Sequence, residues 1–221
     1  MSDSWLTEGI GEGLKSVDKK MNVSTETVLD ATRKMLSEHG SAVSLELIAA
    51  EAGLTRQTLY NRFGSKQVLL KTAFDDIRNK IHARLDNAPW GAKPEILLPV
   101  IGRIVADNFL DLEMAKLLRA MLQAVEEIPE IGTSLRSDRT GQVLSSLTAY
   151  LEAKTKTGEF QVANPEVQAM LFLGSISGFL FPRLLLGTAA PDEERNQELV
   201  NEAVKSFISL WRKSELPPPN K

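Results

Sequence analysis

The chain has 221 residues, 43% hydrophobic and 25% charged, with a formal net charge of −3 and no cysteine. That composition supports a sizeable core in one large or two small globular domains, and without cysteine there is no disulfide framework, thiol nucleophile or thiolate metal site. No apolar run reaches the roughly 18 residues of a membrane span; the longest, Met170 to Phe181, is interrupted by Gly174, Ser175, Ser177 and Gly178. The opening MSDSWLTEGIGEG lacks the basic and then apolar pattern of a secretory signal, so a cytoplasmic protein with no membrane partner is expected.

Residues 1 to 85 carry 12 Lys+Arg against 11 Asp+Glu, and residues 86 to 221 carry 14 against 18. A nucleic-acid partner would therefore be held by where charges sit, not by bulk charge. Residues 1–22 read as a polar, mobile arm; its Lys19 and Lys20 are alternatively spaced to reach a phosphate or the minor groove. Ser24 caps a helix to about His39, with Val28, Ala31, Met35 and Leu36 on one face, and Gly40 stops it.

Ser44 caps a short helix whose Leu45, Ile48, Ala49 and Ala52 share one face. Gly53 allows a sharp left-handed turn. Thr55 caps a second helix, Arg56 to Arg62, in which Leu59 and Phe63 turn inward while Arg56, Gln57, Thr58, Asn61 and Arg62 point elsewhere. Ala49 is small where the two helices must cross. This is the pattern of a helix-turn-helix whose second helix can enter the DNA major groove.

Ser65 then caps a long helix, Lys66 to about Leu85, with an apolar stripe of Leu69, Leu70, Ala73, Phe74, Ile77 and Ile81. A loop at Asn87 to Lys93 precedes further helices predicted at 94–107, 110–127, 130–157, 164–186 and 191–214, separated by Pro and Gly signals. No strand pattern occurs. The predicted fold is all-α, with about nine helices and an extra one possible near the N-terminus. Its parts are an arm (1–22), a three-helix helix-turn-helix domain (23–68), a larger helical domain (69–215), to which a family resemblance assigns ligand binding and dimerisation, and a proline-rich disordered tail (216–221).

The run Ile48-Ala49-x-x-Ala52-Gly53-Leu54-Thr55, followed by Leu59-Tyr60-x-x-Phe63-x-Ser65-Lys66, resembles the TetR family of bacterial transcriptional regulators without gaps. Beyond it, Gly158-Glu159-Phe160 before Asn164-Pro165-Glu166 looks like the ligand-binding domains of the family's AcrR-like members. The usual polar residue is replaced at Leu47, which leaves an apolar spot on the outer face of its helix. The resemblance implies a homodimeric regulator, a repressor in the first reading, that binds a palindromic operator and is released by a small molecule. An activator or effector-independent regulator is the alternative, as is a helical small-molecule-binding or scaffold protein that no longer binds DNA.

The residue chemistry assigns roles. Arg56 can pair with guanine O6 and N7, and Gln57 with adenine N6 and N7. Ser44, Thr55, Thr58, Asn61 and Arg62 flank them, and the resemblance assigns Tyr60 and Lys66 to the phosphate backbone. Phe74, Ile81, His82, Trp90, Phe109, Met114, Leu118, Met121, Gln123 and Phe172 are candidates to line an effector pocket, with plain core packing as the competing role. Such a lining suits an apolar or amphipathic effector oriented by Asn108 or Gln123. Gly174, Ser175 and Gly178 permit close helix approach in a dimer, and Phe207 and Trp211 could complete the interface; the resemblance implies that the last two long helices form it.

An enzyme is not expected, and no cofactor. A di-iron bundle needs Glu-x-x-His, and neither His39 nor His82 has Glu three residues before it. Gly9-x-Gly11-x-Gly13 lies in the arm with no strand before it, so it is not a phosphate loop.

Overall fold

Ser24, Ser44 and Thr55 each accept a hydrogen bond from the backbone amide three residues ahead, and a helix begins after each. The computed structural model describes residues 23–135, 141–190 and 192–212. They form two compact units: the described residues up to Ile77 together with Arg119–Gly132, and Arg78–Leu118 together with those from Thr133 onward. Eleven α-helices, one 3₁₀ turn and no strand occur among the described residues.

The first unit starts with α1 (Thr25–His39), which buries Val28, Leu29, Ala31, Met35 and Leu36, as a 3.6-residue apolar period requires. Thr32 is also buried, and its hydroxyl donates back to the Val28 carbonyl at 2.7 Å, so no polar atom is stranded. A 3₁₀ turn (Gly40–Ala42) leads to α2 (Leu45–Glu51) and α3 (Arg56–Phe63). Arg33 of α1 pairs with Asp76, near the middle of α4 (Lys66–Asp86), whose first turns bury Leu69, Leu70, Ala73 and Phe74. Ala120, Ala124, Ile128 and Ile131 are the buried apolar residues of the segment Arg119–Gly132.

The second unit is built on α5 (Pro94–Phe109). Pro94 opens it where a missing N–H costs nothing. Leu97, Leu98, Ile101, Ile104 and Val105 enter a core shared with α8 (Gln142–Lys156), α9 (Pro165–Ser177) and α11 (Glu193–Trp211). At Gly102 the crossing is tightest: a β-carbon there would lie 2.7 Å from Val200 Cγ1 and 3.3 Å from Ile176 Cδ1. Around Trp211 the rings of Phe160, Phe172 and Phe207 gather at centroid distances of 5.3 to 6.0 Å, and the indole N–H donates to Gln168 Oε1 at 2.9 Å.

The remaining helices are α6 (Leu112–Ala124), α7 (Pro129–Leu135) and α10 (Phe181–Leu185). Both α4 and α6 contribute residues to each unit, so the contact-based division falls inside helices, while the sequence-based boundary at residue 68 lies nine residues earlier in α4. Two predicted helices are each two. The 130–157 helix is α7 and α8, with Gly141 at the start of the latter, and 164–186 is α9 and α10. In the second case the break precedes Pro182, which cannot donate a helical bond and so takes the first turn of a new helix instead. The predicted arm and proline-rich tail lie outside the described residues, as does the short helix proposed within the arm.

Candidate nucleic-acid interface

The turn between α2 and α3 is set by backbone bonds. Gly53 sits at φ +68°, its amide donates to Ala50 O at 3.1 Å, and the Leu54 amide reaches Ala49 O at 2.8 Å. Ile48 and Leu59 are fully buried, and Ala49, Ala52 and Leu54 nearly so. The two helices are thus locked by one apolar seam, and the side chains left outside α3 are held in known directions.

Arg56, Gln57, Tyr60 and Asn61 are exposed, and Thr58 is partly so. The Arg56 side chain is 67% exposed, and its Nε lies 3.1 Å from Glu46 Oε1 on α2. Glu46 in turn is held below the usual carboxylate range, first by its own backbone amide, against a desolvation that ranks second, with smaller help from Arg56 and the Ser44 hydroxyl. Gln57 Nε2 donates to Asn61 Oδ1 at 2.8 Å, one helical turn on. Thr55 accepts from the Thr58 amide at 3.1 Å and shares a hydroxyl contact of 2.8 Å with Thr58. Tyr60 is 53% exposed.

Besides the capping Thr55, three more of the expected DNA-binding residues already have structural work. Arg62 donates to Val23 O at 2.7 Å and Thr25 Oγ1 at 2.8 Å, tying the end of α3 to the start of α1. Lys66 Nζ donates to Ser41 O at 2.8 Å, which leaves two of its three protons for another acceptor. Ser44 is engaged in capping α2, accepting from the Leu47 amide at 3.3 Å. Leu47 itself is 44% exposed.

The expected effector residues are divided between the two units. Phe74, Met121 and Gln123 belong to the first unit; Ile81, His82, Trp90, Phe109, Met114, Leu118 and Phe172 belong to the second. Gln123 turns its side-chain oxygen onto Gly40, where a β-carbon would lie 2.9 Å away. His82 is buried, with neither ring nitrogen paired to any described atom. Trp90 donates to Leu85 O at 2.9 Å, Phe109 packs edge-on against Phe181, and Phe172 is wholly buried beside Phe207 and Trp211. Asn108 donates to Ile104 O at 2.6 Å. An open cleft of about 640 Å³, lined by Phe179, Arg183, Thr188, Asp192, Arg195 and Asn196 among others, contains none of the expected residues.

The small-residue patch lies on the outside of α9. A β-carbon at Gly174 would meet nothing within 4 Å, and Ser175 and Gly178 are exposed. Val167, Met170 and Leu171 join them on that helix, and Leu210 is exposed on α11. These four were not singled out from the sequence, although α9 is apolar on every side and so had more apolar surface than one buried face needs. Trp211, by contrast, is 1% exposed within the single chain and fills its interior; Phe207 is partly buried beside it.

A capped helix with an outward polar face, joined by a glycine turn to a supporting helix and braced by a third, defines a helix-turn-helix DNA-binding protein. Residues 28–73 match the family described as bacterial regulatory proteins, tetR family, and residues 97–213 match the C-terminal domain of AefR-like transcriptional repressors. The chain belongs to the TetR family and is a transcriptional regulator.

Relatives agree along most of the length. The HTH-type transcriptional regulator YhgD of Bacillus subtilis (strain 168) is 24% identical over 201 residues, covering 89% of this chain and 95% of that protein. The fold is that of a TetR-family regulator from Mesorhizobium loti, at TM-score 0.66 and 19% identity over 90% of this chain and 98% of the other. It is also that of SmeT, the repressor of the Stenotrophomonas maltophilia multidrug efflux pump SmeDEF, at TM-score 0.63 and 19% identity over 91% and 96% of the two chains. Among the described residues no helix is long and apolar enough to cross a membrane.

Proposed function

We propose that the protein is a repressor that binds a palindromic operator as a homodimer in the cytoplasm and leaves it when a small apolar or amphipathic molecule binds. The observation that carries this reading is the outward face of α3, exposed among the described residues, where Arg56 and Gln57 stand in the first turn while Leu59 anchors the opposite side. First-turn side chains of a recognition helix reach deepest into the major groove. Arg56 reads a guanine and Gln57 an adenine. Tyr60 and the free protons of Lys66 hold phosphates on either side, with Thr55, Thr58 and Asn61 between them. Arg62 and Ser44 serve indirectly, by fixing α3 to α1 and starting α2.

Dimerisation uses the apolar face of α9, with Gly174, Ser175 and Gly178 letting a partner helix approach, and Leu210 of α11. Two copies then present their α3 helices to half-sites whose spacing tolerates little change. Because α4 contributes to both units, an effector in the second unit that displaces α4 lowers operator affinity. Similarity to AefR-like repressors and to SmeT supports repression over activation.

The test is Arg56→Ala, measured on a selected operator and on random duplex. The expected loss is about 1 to 3 kcal/mol on the operator and much less on random DNA. Equal losses on both would remove base readout by Arg56. Lys66→Ala should flatten the log-log salt dependence of binding by about one unit. Effector release fails if every small molecule that binds the second unit leaves operator affinity unchanged.

A further inference from the structure

The first turn of α2 carries an acidic residue, Glu46, on the face that should approach a polyanion. A carboxylate there repels phosphate, so its presence calls for a role. Its geometry supplies one. Glu46 stands in the first turn of α2, and its Oε1 lies 3.1 Å from Nε of Arg56. The contact is made through Nε, and among the described residues the two terminal nitrogens of the same guanidinium have no hydrogen-bond partner. Those terminal nitrogens form the planar fork that matches O6 and N7 of guanine.

We propose that Glu46 is a positioning residue for base readout: carried on the first turn of the supporting helix, it pairs with Arg56 at Nε and aims the terminal fork at a guanine. The inference rests on the reading that α3 enters the major groove.

In the free protein both partners are more than half exposed, and a pair of that kind adds little to folding. In the groove, water is displaced from around the pair, and the contact restricts a side chain that would otherwise sample many rotamers, including ones that reach a phosphate instead of a base. Glu46 therefore makes two opposite contributions. It lowers affinity for DNA in general by its charge, and it raises affinity for the correct base by holding Arg56 in place. The two are separable because only the second passes through Arg56.

The experiment uses the full chain and a duplex recovered from a random pool by the unaltered protein. The guanine read by Arg56 is the position whose replacement by adenine ceases to matter in Arg56→Ala. Glu46→Ala is expected to weaken the selected duplex roughly 3- to 10-fold, to tighten binding to random duplex by up to about 3-fold, and to reduce discrimination at that guanine, with the unfolding temperature essentially unchanged. In the Arg56→Ala background the loss on the selected duplex should vanish. Glu46→Gln, which keeps an acceptor but not the charge, should fall between and guards against a folding defect.

If Glu46→Ala shifts both duplexes by the same factor in the same direction, or if its loss persists without Arg56, the positioning role is wrong. If Arg56→Ala itself weakens both duplexes equally, the groove reading falls and this inference with it. A base-specific Arg56 with an indifferent Glu46 sinks only the inference.

Discussion

Gly53 in the first unit and Gly102 in the second are each required, but for unrelated reasons. At Gly53 the backbone stands at φ +68°, and a β-carbon would meet nothing within 4 Å, so what matters is the left-handed turn. At Gly102 the backbone lies within an ordinary helix, and what matters is the absence of a side chain where α5 passes Val200 and Ile176. The contrast extends to the units around them. The first is set by local devices acting on helices of 15, 7 and 8 residues: three side-chain caps, a glycine turn and one seam through Ile48 and Leu59. The second is set by long-range packing of apolar helices on α5 and on the ring cluster at Trp211. Local devices leave one face of α3 outward, whereas packing buries most of α5 and leaves only a side with Ile96, Val100 and Phe109 exposed.

Four measurements would sharpen or break that contrast. Trp211→Ala removes an indole that touches three rings and hydrogen-bonds Gln168, and should cost about 3 to 5 kcal/mol in urea unfolding followed by circular dichroism. Gly102→Ala comes next, at about 1 to 3 kcal/mol, because Val200 is β-branched and wholly buried and has no easy way to yield. Gly53→Ala should cost about 1 kcal/mol, backbone strain alone, in the same assay. A larger effect at Gly53 than at Gly102 would reverse the assignment of local and long-range control.

The smallest effect concerns pH. The folded-state pKa of Glu46 is depressed, so the carboxylate and its contact with Arg56 persist at neutral pH and are lost only as pH falls through that depressed value. Carboxyl carbon shifts of Glu46, followed by NMR, should be flat between about pH 6 and 8 and move below the ordinary glutamate range near 4.3. A midpoint at or above that range would show that the backbone and Arg56 contacts do not hold the anion.

What could be read in advance follows the same division. The caps at Ser24, Ser44, Thr55 and Ser65, the turn at Gly53 and the inward Leu59 are all signals spanning a few residues, and each stands where its spacing requires. Arg62 shows the limit of such signals. By position it is one more outward polar side chain of α3, but its partners, Val23 and Thr25, are more than 35 residues away in sequence. Gln123 behaves likewise, being aimed at Gly40 by a contact no local pattern records. Phe207 and Trp211 lie four apart on an amphipathic helix, a spacing equally suited to an interior and to an interface; only the neighbouring Phe160 and Phe172 distinguish the two. In α9 the apolar residues run round the whole helix, so periodicity could neither locate its end before Pro182 nor separate the buried Phe172 from the exposed Leu171.

The last turn of α11 is fastened at several points. The Gln161 amide donates to Trp211 O at 2.7 Å, the indole is held by Gln168, and Arg212 pairs with Glu95 at the start of α5. Shortening the chain by even one further helical turn from Arg212 would therefore uncork the ring cluster and release the connection at Gln161 at once. Anyone trimming this protein for crystallisation or fusion should keep Trp211 and Arg212.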